Sequence, residues 1–347
     1  MTPSSAPGVK RKRSTYLGAS LLVLAATAAV CAWRLRPAPP SPAGPLEQVT
    51  IAATAEYVGV CPIIAANANG YFAEQGIVAR IQPHASGKSA LDATLQGKAD
   101  LGTVADIPIM FAALKAVPVV VVATIFRTEK DHGLVARRDR GIDSVASLKG
   151  KRVGVMLGTS AHFVLDAMLN RQGLAPGDVV KRNLRPEEFA AALASGEVDA
   201  IATWEPFLDS LRAGLGNNAM SVYSEDIYEI PYNLAATRDY VGHHPETLKK
   251  VLRALIEGAR FCESAPDAAR ALMGAGRKLD NSRWKVLWPA YRFQIALDQG
   301  LLLALEDETR WAVANKLSDQ TAMPNYFDYV YLDALEAVAP AAVTIIH

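Results

Sequence analysis

Cysteine is scarce in this chain. Its 347 residues include three, Cys31, Cys61 and Cys262, with no CxxC pair and no metal-ligand spacing, which excludes a zinc module or a dense disulfide framework. Acidic residues are missing from one region: no Asp or Glu precedes Leu46, whereas six basic residues do (Lys10, Arg11, Lys12, Arg13, Arg34, Arg36). From Leu46 onward thirty basic residues stand against thirty-five acidic ones. A mildly acidic body lacks the electrostatic footprint of a nucleic-acid-binding protein. Catalytic motifs are also missing. The six histidines (His84, His132, His162, His243, His244, His347) form no HExxH, and there is no GxSxG, no GxGxxG and no Cys/His pairing. No catalytic set, metal site or cofactor is therefore expected.

What the N-terminus does have is "KRKR" at 10–13, followed by an uncharged stretch over 14–33 that is most apolar in "LLVLAATAAVCAW". A basic region before an apolar run reads as an export segment. Three fates stay open: cleavage near Val30-Cys31-Ala32, retention as an anchor of about 20 residues, enough to span a bilayer, or lipidation at Cys31. The following "RPAPPSPAGP" is a spacer, because proline removes backbone donors. The expected organisation is a basic cytoplasmic region at 1–15, a signal peptide or membrane anchor at 16–33 and a Pro-rich linker at 34–47. If Cys31 lies in the signal, Cys61 and Cys262 read first as buried free thiols, with a disulfide as the alternative open to an exported protein.

From Gln48 short apolar runs alternate with amphipathic stretches. "QVTIAAT", "IVARIQPH", "DLGTVAD" and "PVVVVATIF" read as strands separated by helices, and after "GLVAR" the series starts again with "RVGVML", "DVVKRNL" and "DAIATW". The segments "QGKADLGTVADIP" (96–108) and "SGEVDAIATWEPF" (195–207) align without a gap, pairing Gly97 with Gly196, Asp100 with Asp199 and Asp106 with Glu205. Two tandem βαβ units imply two similar lobes with mainly parallel sheets. The lobes are expected at 48–138, 139–234 and, on return, 235–347, with the chain crossing between them near 135–143 and 233–237.

In open parallel sheets ligands sit beyond the carboxyl ends of the strands. The loops there contain Glu56 and Tyr57, "SGKS" with Ser86 and Lys88, Asp106, "GTSAH" with Thr159, Ser160 and His162, and "TWEP" with Trp204 and Glu205; Tyr232 lies near them. Free N–H groups and hydroxyls at a helix start can hold an anionic oxygen, or serve only as a cap worth about 1 kcal/mol. Asp106 and Glu205, each just ahead of a proline-bearing helical turn, can likewise cap or, with Glu56, meet an ammonium group. Trp204 and Tyr57 would form walls for the ligand.

The order of "GYFAEQGIVARI", "GKADLGTVAD", "LKGKRVGVMLGTSAHFVLDAML", "SGEVDAIATWEPF" and the terminal "AVTII" resembles that of the substrate-binding proteins of ABC importers of the nitrate, sulfonate and taurine type, a superfamily shared with thiamine-precursor-binding proteins. The resemblance covers 49–346. It implies an α/β, type II periplasmic-binding-protein fold of two βαβ lobes around a ligand cleft, joined by a two-segment hinge. It further implies a non-enzymatic protein, periplasmic or on the outer face of the cytoplasmic membrane, that closes on a small polar solute and docks on an ABC permease with its ATPase. Ligand contacts are implied at Glu56 and Tyr57, at Thr159 and Ser160, and at Trp204 and Glu205. The acid in "AEYVGVCP" leaves room for a zwitterion or amine. Two alternatives share the fold: an enzyme of the thiamine-pyrimidine or menaquinone-pathway type, which an export signal and the missing cysteine-rich motif disfavour, and a membrane-anchored ligand sensor.

Overall fold

The computed structural model describes residues 46–54, 57–274 and 281–346. The export segment, the linker as far as Pro45, and Glu56 lie outside these residues; Glu47, expected at the end of the linker, already belongs to the first strand. The strands are β1 (Glu47–Thr54), β2 (Ile77–His84), β3 (Leu101–Ala105), β4 (Val119–Thr128), β5 (His132–Arg137), β6 (Arg152–Val155), β7 (Val180–Asn183), β8 (Ala200–Trp204), β9 (Ala219–Tyr223), β10 (Ile230–Thr237) and β11 (Tyr291–Arg292). They form one sheet in the order β11-β4-β10-β3-β1-β2 and a second in the order β7-β6-β8-β5-β9. The β-branched run of β4 is buried along nearly its whole length, as an interior strand covered on both faces must be.

Both sheets have a parallel half and an antiparallel half. β1 pairs in parallel with β2 and β3, and β6 with β7 and β8. Antiparallel strands complete each sheet: β10 between β3 and β4, and β5 between β8 and β9. The sequence repeat has a structural counterpart. Asp100 Oδ2 accepts from the Thr50 N–H of β1 at 2.7 Å, and Asp199 Oδ2 accepts from the Arg152 N–H of β6 at 2.9 Å. Each aspartate thus ties the start of its strand to the first strand of its series.

Two sequence expectations need correction. The chain leaves the first sheet between β4 and β5, over 129–131, and returns between β9 and β10, over 224–229. The crossings are therefore not at 135–143 and 233–237, because "GLVAR" already belongs to the second sheet and "YNLAAT" is an interior strand of the first. Cys61 and Cys262 are not free thiols: they form a disulfide with Cα atoms 6.2 Å apart. Their separation of 201 residues hid the pairing; it arises because the Cys61–Ala68 helix packs on the Pro245–Ser264 helix. Gly258 permits that approach, since a Cβ there would lie 2.1 Å from the Pro62 carbonyl oxygen. Among the described residues no helix is long and apolar enough to cross a membrane.

Candidate ligand cleft

One cleft is lined from both sheets. The first sheet and its loops contribute Thr54, Tyr57, Ser86, Gly87, Lys88, Ala105, Pro108 and Tyr232; the second contributes His132, Thr159, Ser160 and Trp204. Its free interior is about 30 Å³, room for one or two water molecules, so the two sides stand nearly closed.

Two helix starts meet there. Ser86 caps the Gly87–Leu95 helix, its Oγ accepting from the Ser89 N–H at 3.2 Å. Gly87 is needed for close approach: a Cβ would come within 3.0 Å of the Tyr232 hydroxyl and 3.1 Å of the Val104 Cα. Opposite, Thr159 precedes the Ser160–Arg171 helix without capping it by side chain, because its Oγ1 donates back to the Met156 carbonyl at 2.7 Å. Gly158 enters this turn at φ +74°, the left-handed region that glycine reaches without steric cost. Side-chain caps therefore serve one helix start and leave the other to the cleft.

The aromatic floor is cross-braced. Tyr57 packs edge-on to Phe126 and Tyr232, with centroids 5.5 and 5.0 Å away. The Tyr232 hydroxyl lies 2.8 Å from Thr54 Oγ1, and burial lifts its pKa to about 12, so it remains a neutral hydrogen-bonding group. Trp204 is 7% exposed, lies 5.9 Å from the His132 ring and meets Phe207 edge-on at 5.8 Å.

His132 was not singled out by the sequence, yet it pairs in register with Trp204 across β5 and β8. Its Nδ1 donates to the fully buried carboxylate of Asp131, which also accepts from the Tyr57 hydroxyl and, at 3.4 Å, from the Tyr291 hydroxyl. That fixes the ring and leaves Nε2 as its other polar atom at the cleft. Thr54, Gly87, Ala105 and Pro108 were likewise not anticipated as lining residues.

Of the residues expected from sequence, Tyr57, Ser86, Lys88, Thr159, Ser160, Trp204 and Tyr232 come together, while three others are committed elsewhere. Asp106 is buried behind the cleft, accepting from the Ile107 N–H at 2.9 Å and from Ser160 Oγ at 3.2 Å. Glu205 caps the Phe207–Leu215 helix by accepting from the Asp209 N–H at 3.1 Å, and it also accepts from the Tyr223 hydroxyl. Burial lifts its pKa to about 7. His162 is buried against Trp311, ring centroids 5.1 Å apart, with Nε2 3.2 Å from Lys181 Nζ; burial, then Lys181, depress its pKa to about 3. Among the described residues no group of His, Cys, Asp and Glu could hold a metal ion.

This architecture has known counterparts, and residues 58–269 match the profile described as NMT1/THI5 like. The chain belongs to the NMT1/THI5-like family. Within reach of this family, the taurine-binding periplasmic protein of Escherichia coli (strain K12) is 26% identical over 211 residues, 59% of this chain and 64% of that protein. The alkanesulfonate-binding protein SsuA from Xanthomonas axonopodis pv. citri, solved bound to MOPS, superposes with a TM-score of 0.73 at 22% identity, covering 83% of this chain and 99% of that one. The periplasmic nitrate-binding protein NrtA from Synechocystis PCC 6803 superposes with a TM-score of 0.69 at 14% identity, covering 85% and 89%. The two-lobed type II periplasmic-binding fold is thus the fold of this NMT1/THI5-like chain.

Proposed function

We propose that this protein is the extracytoplasmic solute-binding component of an ABC importer, taking up a small organic anion or zwitterion of the sulfonate or taurine kind. It would close its lobes around the solute and deliver it to a membrane permease driven by an ATPase. One observation carries the charge assignment: among the described residues the cleft lining contains no carboxylate. Asp106 and Glu205, two of the three acids that the sequence offered to an amine, are spent on buried hydrogen bonds, whereas Lys88, which also pairs with Asp92 at 3.1 Å, the Ser160 helix start and several hydroxyls face the solute. A sulfonate presents three acceptor oxygens to such donors, and charge-assisted bonds are roughly twice as strong as neutral ones. The Cys61–Cys262 disulfide supports an oxidising compartment such as the periplasm. Binding-protein relatives support a non-enzymatic role.

Isothermal titration with taurine, ethanesulfonate and nitrate, set against an aminopyrimidine and a simple amine, tests this reading. Heat with the anions or taurine and none with the amines is expected. Binding of an amine alone would overturn the charge assignment, and turnover of any probe would overturn the non-enzymatic role.

A further inference from the structure

Behind Ser160 runs a buried chain of polar groups that the solute never reaches. Ser160 Oγ donates to Asp106 Oδ1; the Tyr228 hydroxyl contacts Asp106 Oδ2 and lies 2.6 Å from Glu308 Oε1. Asp106 and Glu308 are both fully buried. These four residues come from four places: the first-sheet helix Asp106–Leu114, the second-sheet helix Ser160–Arg171, the returning passage at 224–229, and the C-terminal helix Gln299–Ala314.

Counting hydrogens decides the protonation. A phenol has one proton to donate, yet its oxygen sits within hydrogen-bond distance of two carboxyl groups. With both carboxyls ionised, one contact would press a lone pair against a buried negative charge. Asp106 already accepts from the Ile107 N–H, Ser160 Oγ and Tyr228, which suits an ionised acid; Glu308 meets only the phenol and Asp106 itself, and its Oε2 has no hydrogen-bond partner. The remaining titratable groups facing Glu308 are Tyr326 beside its helix and Asp307 on it, and neither is a cation. Burial, followed by the charge of Asp106, pushes the Glu308 carboxyl well above the usual carboxylate range.

We propose that Glu308 is a positioning residue that stays protonated at neutral pH, donating to Tyr228 so that Tyr228 can hold Asp106 and Asp106 can hold the cleft hydroxyl of Ser160. One proton then clasps the start of a second-sheet helix to the first sheet and to the returning passage. Its consequence for solute affinity rests on the solute-binding reading; the proton itself does not.

The linkage sign follows. The unfolded chain loses this proton near pH 4.5, the ordinary value for Glu, while the folded chain keeps it to higher pH. Stability therefore falls as pH rises through that interval, by at most about tenfold in the folding equilibrium per pH unit. Glu308→Gln supplies an N–H in place of the acid O–H and cannot ionise, so it should remove the fall while keeping the fold.

The test is infrared difference spectroscopy and urea unfolding of the full-length chain against Glu308→Gln, both in a Glu205→Gln background so that Glu205 does not contribute. A protonated-carboxyl stretch at pH 7 that disappears in the variant, together with a one-proton difference in the pH dependence of stability, is the expected result. No such stretch, or parallel stability curves, overturns the proposal. If Glu308→Gln fails to fold, the stretch in the Glu205→Gln parent is followed through a pH titration, and its absence at pH 7 is equally decisive. A chain that shows the stretch but binds none of the anions leaves this proposal standing and overturns the solute-binding one.

Discussion

His132 illustrates how chemistry escapes a reading of strand ends. The sequence argument looked beyond the carboxyl ends of parallel strands and found Ser160 and Trp204 there. β5 runs antiparallel to β8, so its first residue, His132, arrives at the same edge as the last residue of β8. Nothing in "KDHGLVAR" announces that direction. Once Asp131 holds the Nδ1 proton, the His132 ring is fixed with Nε2 toward the cleft, and in its imidazolium form that nitrogen donates to an anion, a charged hydrogen bond contributing about 1.5–3 kcal/mol. His132→Ala should weaken anion binding tenfold or more, and His132→Gln, which keeps a donor, should lose less; titration calorimetry with whichever anion binds decides the order. Trp204→Ala should also cost over tenfold in the dissociation constant, about 1.4 kcal/mol, with an unchanged circular dichroism spectrum. Glu205 makes a different prediction. Folded, it keeps its proton to about pH 7 against an ordinary value of 4.5, so it lowers stability as pH rises across that window. Glu205→Gln should flatten the unfolding free energy between those two pH values, and a variant curve parallel to wild type would show Glu205 ionised throughout.

At the scale of elements, the alternation of strand and helix was legible because buried parallel strands must be apolar and the helices between them one-sided. The duplicated Gly and Asp positions were legible for a sharper reason: each aspartate makes the same bond to the same place in its sheet. β9 and the two-residue β11 were not legible, since "AMSVY" carries no alternation of its own and β11 exists only by pairing with β4. The pairing of Cys61 with Cys262 was equally hidden, being a property of two helices far apart in sequence that pack directly on each other. Here the structure predicts a local weak point. Replacing Cys61 and Cys262 by Ser should cost about 2–5 kcal/mol of unfolding free energy, the usual loss for a native disulfide in a secreted domain. Gly258→Ala, pressing a methyl into the Pro62 carbonyl, should cost about 1–3 kcal/mol as overpacking does. Urea unfolding measures both, and a Gly258→Ala curve coincident with wild type would mean the helices can separate without penalty.

For the whole molecule the question is what holds the two sides shut over so small a space. Residues 129–131 and 224–229 are the two passages between the sheets and mark the hinge. Away from them, the Gln299–Ala314 helix reaches across: Trp311 Nε1 donates to the buried Asp166 carboxylate at 3.1 Å, and the Trp311 ring meets Phe163 edge-on at 5.3 Å. Asp166 and Phe163 stand on the second-sheet helix, whereas Trp311 packs with Phe111 of the first. Opening must break these contacts, none of which involves a residue lining the cleft. A solute that binds only the closed form pays for the fraction of molecules standing open, so its apparent affinity scales with the closed population. Trp311→Phe keeps most of the ring packing and removes the bond to Asp166. It should therefore raise the small-angle scattering radius of the solute-free protein and weaken solute binding several-fold, while saturating solute restores the wild-type radius. A larger radius with unchanged affinity would place the Trp311 contact outside the opening motion, and an unchanged radius with weaker binding would mean that Trp311 acts on the cleft through His162, whose ring it touches.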